Sequence, residues 1–289
     1  MRPEIEQAVA LLQEKRPQSL ERALDLLQHT VFSFSMKVCG HRQDAEDTMQ
    51  DVLLKAVPYL PKFTSPKALV VWLYTVAKNR CLMSRRRSKF APKETLSLEE
   101  LMPDRQELES LANKETSTPE SLALRGETAG QVRQAVLKVP PQYRLVLVLH
   151  DMEELDTEEI ARITGLRPGT VRVRLHRARL FVRNELTRGQ TRRPRPPKPR
   201  RRPRGCKALF AALSEYLDGT LQEEMCRELE KHIQHCQPCD AFLDTLRATV
   251  HGIRKVSPAK PDPATAARVR NAILQQYRAA LQSCAKTGA

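Results

Sequence analysis

Four side chains near the C-terminal end have the types and spacing of a metal site: Cys206, His232, Cys236 and Cys239. Met225, Leu229 and Ile233 mark the buried side of a helix, and His232 and Cys236 sit four apart on one face of it. Pro238 breaks the chain so that Cys239 folds back beside them, and Cys206 upstream offers a fourth ligand. Three thiolates and one imidazole suit tetrahedral Zn2+, and a set with no open position is structural rather than hydrolytic. Two rivals stand beside this reading. Cys236-Gln237-Pro238-Cys239 also has the spacing of a thioredoxin-like dithiol, but such a dithiol normally follows a strand and opens a helix, whereas this one is expected to close a helix. Cys226 and His235 are competing ligands, whereas Cys39 and Cys81 read as core and Cys284 as an exposed or packing thiol.

A second kind of chemistry, polyanion recognition, is written into residues 137–186. Asp156 is placed to cap a helix beginning at Thr157, with Glu159 three residues on completing a capping box. Gly165 supplies a left-handed turn residue, and Pro168 suits the first turn of the helix after it. In that helix Val171, Leu175, Ala178 and Val182 recur at helical spacing and face a core, which turns Arg172, Val173, His176 and Arg177 outward. From Arg167 to Arg183 there are six arginines and no acid. This is the pattern of a helix-turn-helix whose second helix enters the DNA major groove.

The elements that must position these groups are helices. Apolar residues recur mainly at helical spacing, aromatic residues are 4% of the chain, and strand-like alternation is absent, so the expected fold class is all-α. The 289 residues suffice for two or three small domains. No apolar run approaches a membrane span, and the opening residues do not read as a signal peptide. The net charge of +15 suits a polyanionic partner, and scattered cysteines favour reduced thiols in a cytoplasm over a secreted disulfide scaffold.

Composition divides the chain. Residues 19–90 form a helical block, and 91–128, with nine acids against four bases, read as a flexible acidic connector. Residues 129–187 hold the helix-turn-helix. Residues 188–205 are an Arg/Pro-rich tether too polar to build a core. Residues 206–251 form the Cys/His unit, and 263–283 a last helix striped with Val269, Ile273, Tyr277 and Leu281.

In the first block, Asp44, Glu46, Asp47 and Asp51 flank an apolar stripe of Val52, Leu53 and Ala56, and Trp72, Val76 and Leu82 anchor a later helix that ends in Arg85, Arg86 and Arg87. Taken alone, acids near a helix start and bases near a helix end do no more than suit the helix dipole. The succession AEDTMQDV, WLYTVAKNR, PPQYRLVLVLH and TEEIARITGLRPGTVRVRLHRAR, in order over residues 19–187, resembles the extracytoplasmic-function (ECF) sigma factors of bacterial RNA polymerase. The resemblance implies a region 2-like domain over 19–90 that binds polymerase and the promoter −10 element, and a region 4-like domain over 129–187 that reads the −35 element. It implies that Asp47, Gln50 and Asp51 bind the polymerase clamp. It assigns Phe63, Thr64 and Ser65 to a pocket for a flipped base, with Lys78 and Asn79 nearby, and Arg80, Arg85, Arg86 and Arg87 to phosphates. In region 4, Arg172 and Arg177 fall at guanine edges or phosphates, Val173 at a thymine methyl and His176 at a base edge, with Thr170 and Arg174 on the DNA backbone.

Residues 206–251 resemble the zinc-finger family of zinc-binding anti-sigma domains, through YLDGTL and the His-x-x-x-Cys-x-x-Cys pattern. The resemblance assigns zinc to Cys206, His232, Cys236 and Cys239. The expectation is thus a non-enzymatic, cytoplasmic promoter-specificity subunit, with RNA polymerase core enzyme and promoter DNA as partners. The zinc unit, net acidic, is expected to dock on the basic sigma domains and regulate them in cis. The alternatives are a stand-alone helix-turn-helix regulator, which has no need of the AEDTMQDV and WLYTVAKNR blocks, and a thiol oxidoreductase, which lacks a strand–helix scaffold.

Overall fold

The structure, a computed structural model, describes residues 3–14, 16–86, 95–103, 107–108, 129–188 and 204–287. Every regular element among them is helical, and the chain divides into two compact units: Met1–Pro92 with Glu153–Leu166 and Pro258–Ala289, and Lys93–Met152 with Arg167–Ser257.

The first unit is built on α1 (Pro3–Gln13), α2 (Pro17–Cys39), α3 (Arg42–Ala56) and α4 (Pro66–Arg86). Proline opens three of these helices, where its missing N–H costs nothing. Gly40, at φ 81°, closes α2 and returns its N–H to Met36 O. Leu24, Leu27, Val31 and Phe32 of α2 pack with Met49, Val52 and Leu53 of α3 and with Leu69, Leu73 and Ala77 of α4, all buried. The inward stripe of α4 is thus not the one the sequence suggests, since Trp72 and Val76 are only half-buried. The α1 helix, which no motif marks, buries Ile5, Ala8, Val9, Leu11 and Leu12.

Cys39 and Cys81 are buried, as expected of core residues, but against the expectation of reduced thiols they are joined in a disulfide, because the packing of α2 on α4 brings them to a Cα separation of 5.8 Å. It ties the end of α2 to α4. Beside the stacked Phe34 and Tyr74 rings, the buried Glu153 carboxylate accepts from Tyr74 Oη (2.6 Å) and Lys37 Nζ (2.8 Å). Two donors on one carboxylate are the condition under which a buried charge is tolerated.

The unit also contains α8 (Thr157–Thr164), the first helix of the helix-turn-helix. Lys67 Nζ lies 3.6 Å from Glu159 there, and Lys78 Nζ donates to Ile163 O at 2.7 Å, satisfying a carbonyl that a helix end leaves open. The last helix, α13 (Pro263–Thr287), lies against α2: Gln28 donates to Ala266 O, Arg270 pairs with Asp25, and Val269 and Ile273 are buried. Side-chain placement for Tyr277 and Leu281, further along its expected stripe, and for Cys284 falls outside the described residues.

The second unit is organised around α9 (Pro168–Arg188), packed against α6 (Ala129–Lys138), α7 (Pro141–Leu147, continuing as a π turn over Val148–Met152), α10 (Arg204–Leu217) and α12 (Gln237–Arg254). Val171, Leu175, Ala178 and Val182 are all buried, as their spacing predicts. So is Arg183, whose guanidinium lies over the Phe242 ring at 4.0 Å and donates to Glu107 and Thr245. Phe210 of α10 meets Phe242 of α12 edge-on. Part of the acidic connector is also packed: the short α5 (Leu98–Leu101) and its flanks bury Leu96, Leu101, Met102 and Leu108, and Asn184 donates to Leu101 O. The apolar residues spaced among the acids explain this. The rest of the connector, 91–94, 104–106 and 109–128, and most of the tether, 189–203, lie outside the described residues. No described helix is long and apolar enough to cross a membrane.

Candidate nucleic-acid interface and metal centre

Polar side chains of α3 and α4 divide between two surfaces of the first unit. On α3, Asp47 and Gln50 are exposed and Asp51 half-exposed, one helical turn of polar surface opposite the buried Val52, Leu53 and Ala56. Asp51 pairs with Arg80 of α4 at 2.7 Å, so a residue expected to bind polymerase is tied to one expected to hold phosphate. Before α4, the Leu60–Lys62 turn delivers Phe63, Thr64 and Ser65. Phe63 is half-buried, its carbonyl accepts from Gln13 Nε2, and Thr64 and Ser65 are exposed. The Phe63 ring lies 6.0 Å from Trp72, and Tyr59, 48% exposed, lies 5.8 Å from the same indole. Three tilted rings at the surface make a stacking platform, a feature suited to unpaired bases. Tyr59 is a residue the sequence reading missed; the signal was an aromatic between Pro58 and Pro61, where a turn exposes it.

Asn79 is exposed, whereas Lys78 is committed to Ile163 O, and burial lowers its pKa. Arg85 and Arg86 lie in the last turn of α4 with side chains outside the described set, as is all of Arg87.

The local signals of the helix-turn-helix are met one by one. Asp156 Oδ1 accepts from Glu159 N at 2.7 Å while Glu159 Oε2 accepts from Asp156 N at 3.1 Å, and Gly165 takes φ 73°. No Cβ at Gly165 would clash, so the positive φ alone demands glycine. On α9, Thr170, Arg172 and Val173 are exposed, and Arg174 and Arg177 half-buried. His176 departs from the expected outward face: it is 5% exposed, with Nδ1 2.9 Å from Ser214 Oγ on α10. Arg172 lies 3.8 Å from Glu215 of α10, and Arg177 donates to Leu96 O of the connector at 3.0 Å. Burial first, then the Arg179 and Arg177 charges, push the His176 pKa down to about 4.

One turn on, Arg179 is fully buried between two carboxylates. It donates to Asp151 through Nε (2.8 Å) and Nη2 (2.5 Å), and to Asp218 through Nη1 and Nη2 (2.8 Å each). Burial opposes both charges, but their mutual attraction prevails: Asp151 is held well below the usual carboxylate range and Arg179 raised above its own. His150 Nδ1 lies 2.9 Å from Asp151, and Arg254 Nη2 3.4 Å from Asp218. His150, Asp151 and Asp218 are close enough together to hold a cation, but the Arg179 guanidinium already supplies their positive charge. The sequence reading assigned Arg179 no role, because its partners come from separate helices.

In the Cys/His unit, α11 (Glu223–His235) ends at Cys236, and Cys236-Gln237-Pro238-Cys239 opens α12. Donor atoms of His232, Cys236 and Cys239 all lie within 4.8 Å of one another, with His232 Nε2 3.3 Å from Cys239 Sγ. Two thiols and an imidazole converging at such distances fit zinc. Cys206 lies in the first turn of α10, with its side chain outside the described set. His235 is exposed and turned to Lys231 O, away from the cluster. Leu229 is buried as expected, but Met225 is 38% exposed, so the apolar face of α11 begins one turn later than its sequence suggests. No strand precedes the Cys-x-x-Cys among the described residues, so the scaffold of a thioredoxin-like dithiol is missing there.

Comparison with known proteins follows the same order. Residues 23–90 match the family described as Sigma-70 region 2, residues 129–182 that described as Sigma-70, region 4, and residues 206–239 that described as "Putative zinc-finger". The RNA polymerase sigma-H factor of Pseudomonas aeruginosa is 31% identical over 174 residues, 57% of this chain and 87% of that protein. The ECF RNA polymerase sigma factor SigW of Bacillus subtilis is 28% identical over 163 residues, 56% of this chain and 86% of that protein. The ECF RNA polymerase sigma-E factor of Escherichia coli K12 is 29% identical over 184 residues, 61% and 93% respectively. The chain belongs to the RNA polymerase sigma factors of the sigma-70 family, and it carries in addition a match to a zinc-finger family over residues 206–239.

Proposed function

We propose that this protein directs bacterial RNA polymerase core enzyme to a specific set of promoters in the cytoplasm, and that its C-terminal zinc-binding module regulates it in cis. The reading rests above all on one observation: a surface aromatic platform ahead of α4 and a capped helix-turn-helix occur in one chain, in the order of sigma regions 2 and 4. In this account Asp47, Gln50 and Asp51 meet the polymerase clamp. Phe63, Thr64 and Ser65, backed by Trp72 and Tyr59, receive an unstacked base of the −10 element. Base extrusion costs a few kcal/mol, which stacking and edge hydrogen bonds restore. Asn79, Arg80 and Arg85 to Arg87 hold the adjacent strand. Thr170, Arg172, Val173, Arg174, His176 and Arg177 face the −35 element. Cys206, His232, Cys236 and Cys239 would hold a zinc ion, whose role in a set with no open position would be structural.

Gel filtration with purified core polymerase tests the assignment. The full chain is expected to co-elute with core, and Asp47→Lys/Asp51→Lys to co-elute less. A chain that binds duplex DNA but never core would instead be a stand-alone regulator.

A further inference from the structure

We propose that α10 of the zinc module is a lid on the DNA-reading face of α9, so that the protein's own C-terminal module and the promoter −35 element compete for one surface. The inference rests on the sigma-factor reading above and extends it from a regulatory module in general to a named surface and competitor.

The engaged residues carry the argument. Within one turn of α10, Ser214 meets His176 at 2.9 Å, Glu215 approaches Arg172 at 3.8 Å, and Asp218, just past the helix end, grips Arg179 through two hydrogen bonds of 2.8 Å. Arg179 Nη1 also donates to Ser214 O at 3.3 Å. Arg172 and His176 thus meet an acceptor and a hydroxyl, the kinds of group that phosphates and base edges would offer them. The Arg172–Glu215 pair is exposed and contributes little binding. The Asp218–Arg179 pair is buried, bidentate and charge-assisted, and acts as the latch.

The cover is incomplete in a telling way. Thr170 and Val173, nearer the N-terminus of α9, remain exposed, Val173 by 49%. Recognition helices use their N-terminal residues first, so DNA can touch the open end before α10 is displaced. Displacing it exposes His176 and frees Arg172, while Arg179 keeps Asp151 as its internal partner. Arg179 therefore does not become an unpaired buried charge when the lid leaves. One polar hub serves both states.

The test uses the full chain and two variants outside the proposed reading residues and zinc ligands: Glu215→Arg, which sets like charges against Arg172, and Asp218→Asn, which weakens the latch. The probe is a pool of 30-bp duplexes with a randomised core, followed by fluorescence anisotropy; hydrogen exchange on the native chain is recorded with and without the pool. If the lid is closed in most molecules, opening it raises apparent affinity by the inverse of the open fraction, on the order of tenfold. Asp218→Asn is expected to gain by about that factor and Glu215→Arg in the same direction by less, and the pool is expected to speed exchange of the α10 amides in the native chain. Native and variant chains binding equally, or duplex bound with no change in α10 exchange, would overturn the lid. Should Asp218→Asn fail to fold, Glu215→Arg and the native-chain exchange decide alone. Core-polymerase co-elution of the same samples separates the two failures: loss of the lid leaves it intact, whereas its absence removes the sigma-factor reading on which the lid depends.

Discussion

Arg179 of α9 donates two 2.8 Å hydrogen bonds to Asp218 in the turn that follows α10, while its other side is held by Asp151. A guanidinium at the buried centre of the second unit is thereby shared between region 4 and the zinc module. Its geometry explains why so costly a buried group is kept: the fork of Arg179 can satisfy two planar carboxylates at once, which lysine cannot.

Removing one acceptor should be costly but not ruinous. Asp218→Ala is expected to destabilise the second unit by about 2 kcal/mol, the scale of a lost hydrogen bond to a charged group. Arg179→Ala should cost more, because it leaves Asp151 and Asp218 facing each other. Urea midpoints read by circular dichroism check the order; equal losses would show that Asp218 is not the weaker partner.

Acid should loosen the same region. His176 is neutral where it lies, its pKa pushed down to about 4 by burial and by the Arg179 and Arg177 charges, and would rise toward its ordinary value as burial is relieved if α10 lifted away. The exposed state then binds more protons between those values. Packing over His176 is therefore fully favourable above about pH 6.5 and weakens as pH falls toward 4. Glu215 and Asp218, the acids of α10, engage Arg172 and Arg179 rather than His176. Exchange of the α10 amides, corrected for intrinsic pH dependence, should accelerate over that window in the native chain and not in His176→Phe.

In the first unit, the Cys39–Cys81 bond closes a span of 42 residues between α2 and α4. Cross-links of such length contribute about 2–4 kcal/mol by constraining the unfolded chain. Adding dithiothreitol should lower the melting temperature of the native protein and leave Cys39→Ser/Cys81→Ser unmoved. An identical melting temperature with and without reductant in both proteins would show that the bond does not form in solution.

The aromatic platform gives a functional prediction. Phe63→Ala and Tyr59→Ala should permit a closed promoter complex but reduce strand opening, each removing about 1–3 kcal/mol of base stacking. Permanganate reactivity of thymines near the start site measures this. Normal reactivity in both variants would mean that the rings serve only to support Trp72.

What could be read from the sequence was local. The Asp156–Glu159 box, the Gly165 turn and the buried stripe of α9 follow from residues within a few positions of each other, and each is found in the structure. The convergence of His232, Cys236 and Cys239 was legible for the same reason. Helical periodicity turned His176 outward, whereas the structure buries it against Ser214 of α10, a residue beyond the Arg/Pro-rich tether that no local pattern could bring there. Charge suggested that the acidic module would meet basic sigma domains without indicating that Asp218 would find Arg179. Trp72 misled because a large apolar side chain predicts burial, whereas here it supports two surface rings.

The central claim is that this chain is a promoter-specificity factor restrained by its own C-terminal module. Multi-round run-off transcription with purified core polymerase, on fragments selected by the Glu215→Arg chain, tests it most directly. The account predicts no specific transcript from core alone, a weak one with the native chain, and a stronger one with Glu215→Arg, which shifts the lid toward its open state. Equal transcript from native and Glu215→Arg chains would contradict the restraint, and no chain-dependent transcript from any fragment would contradict the account as a whole.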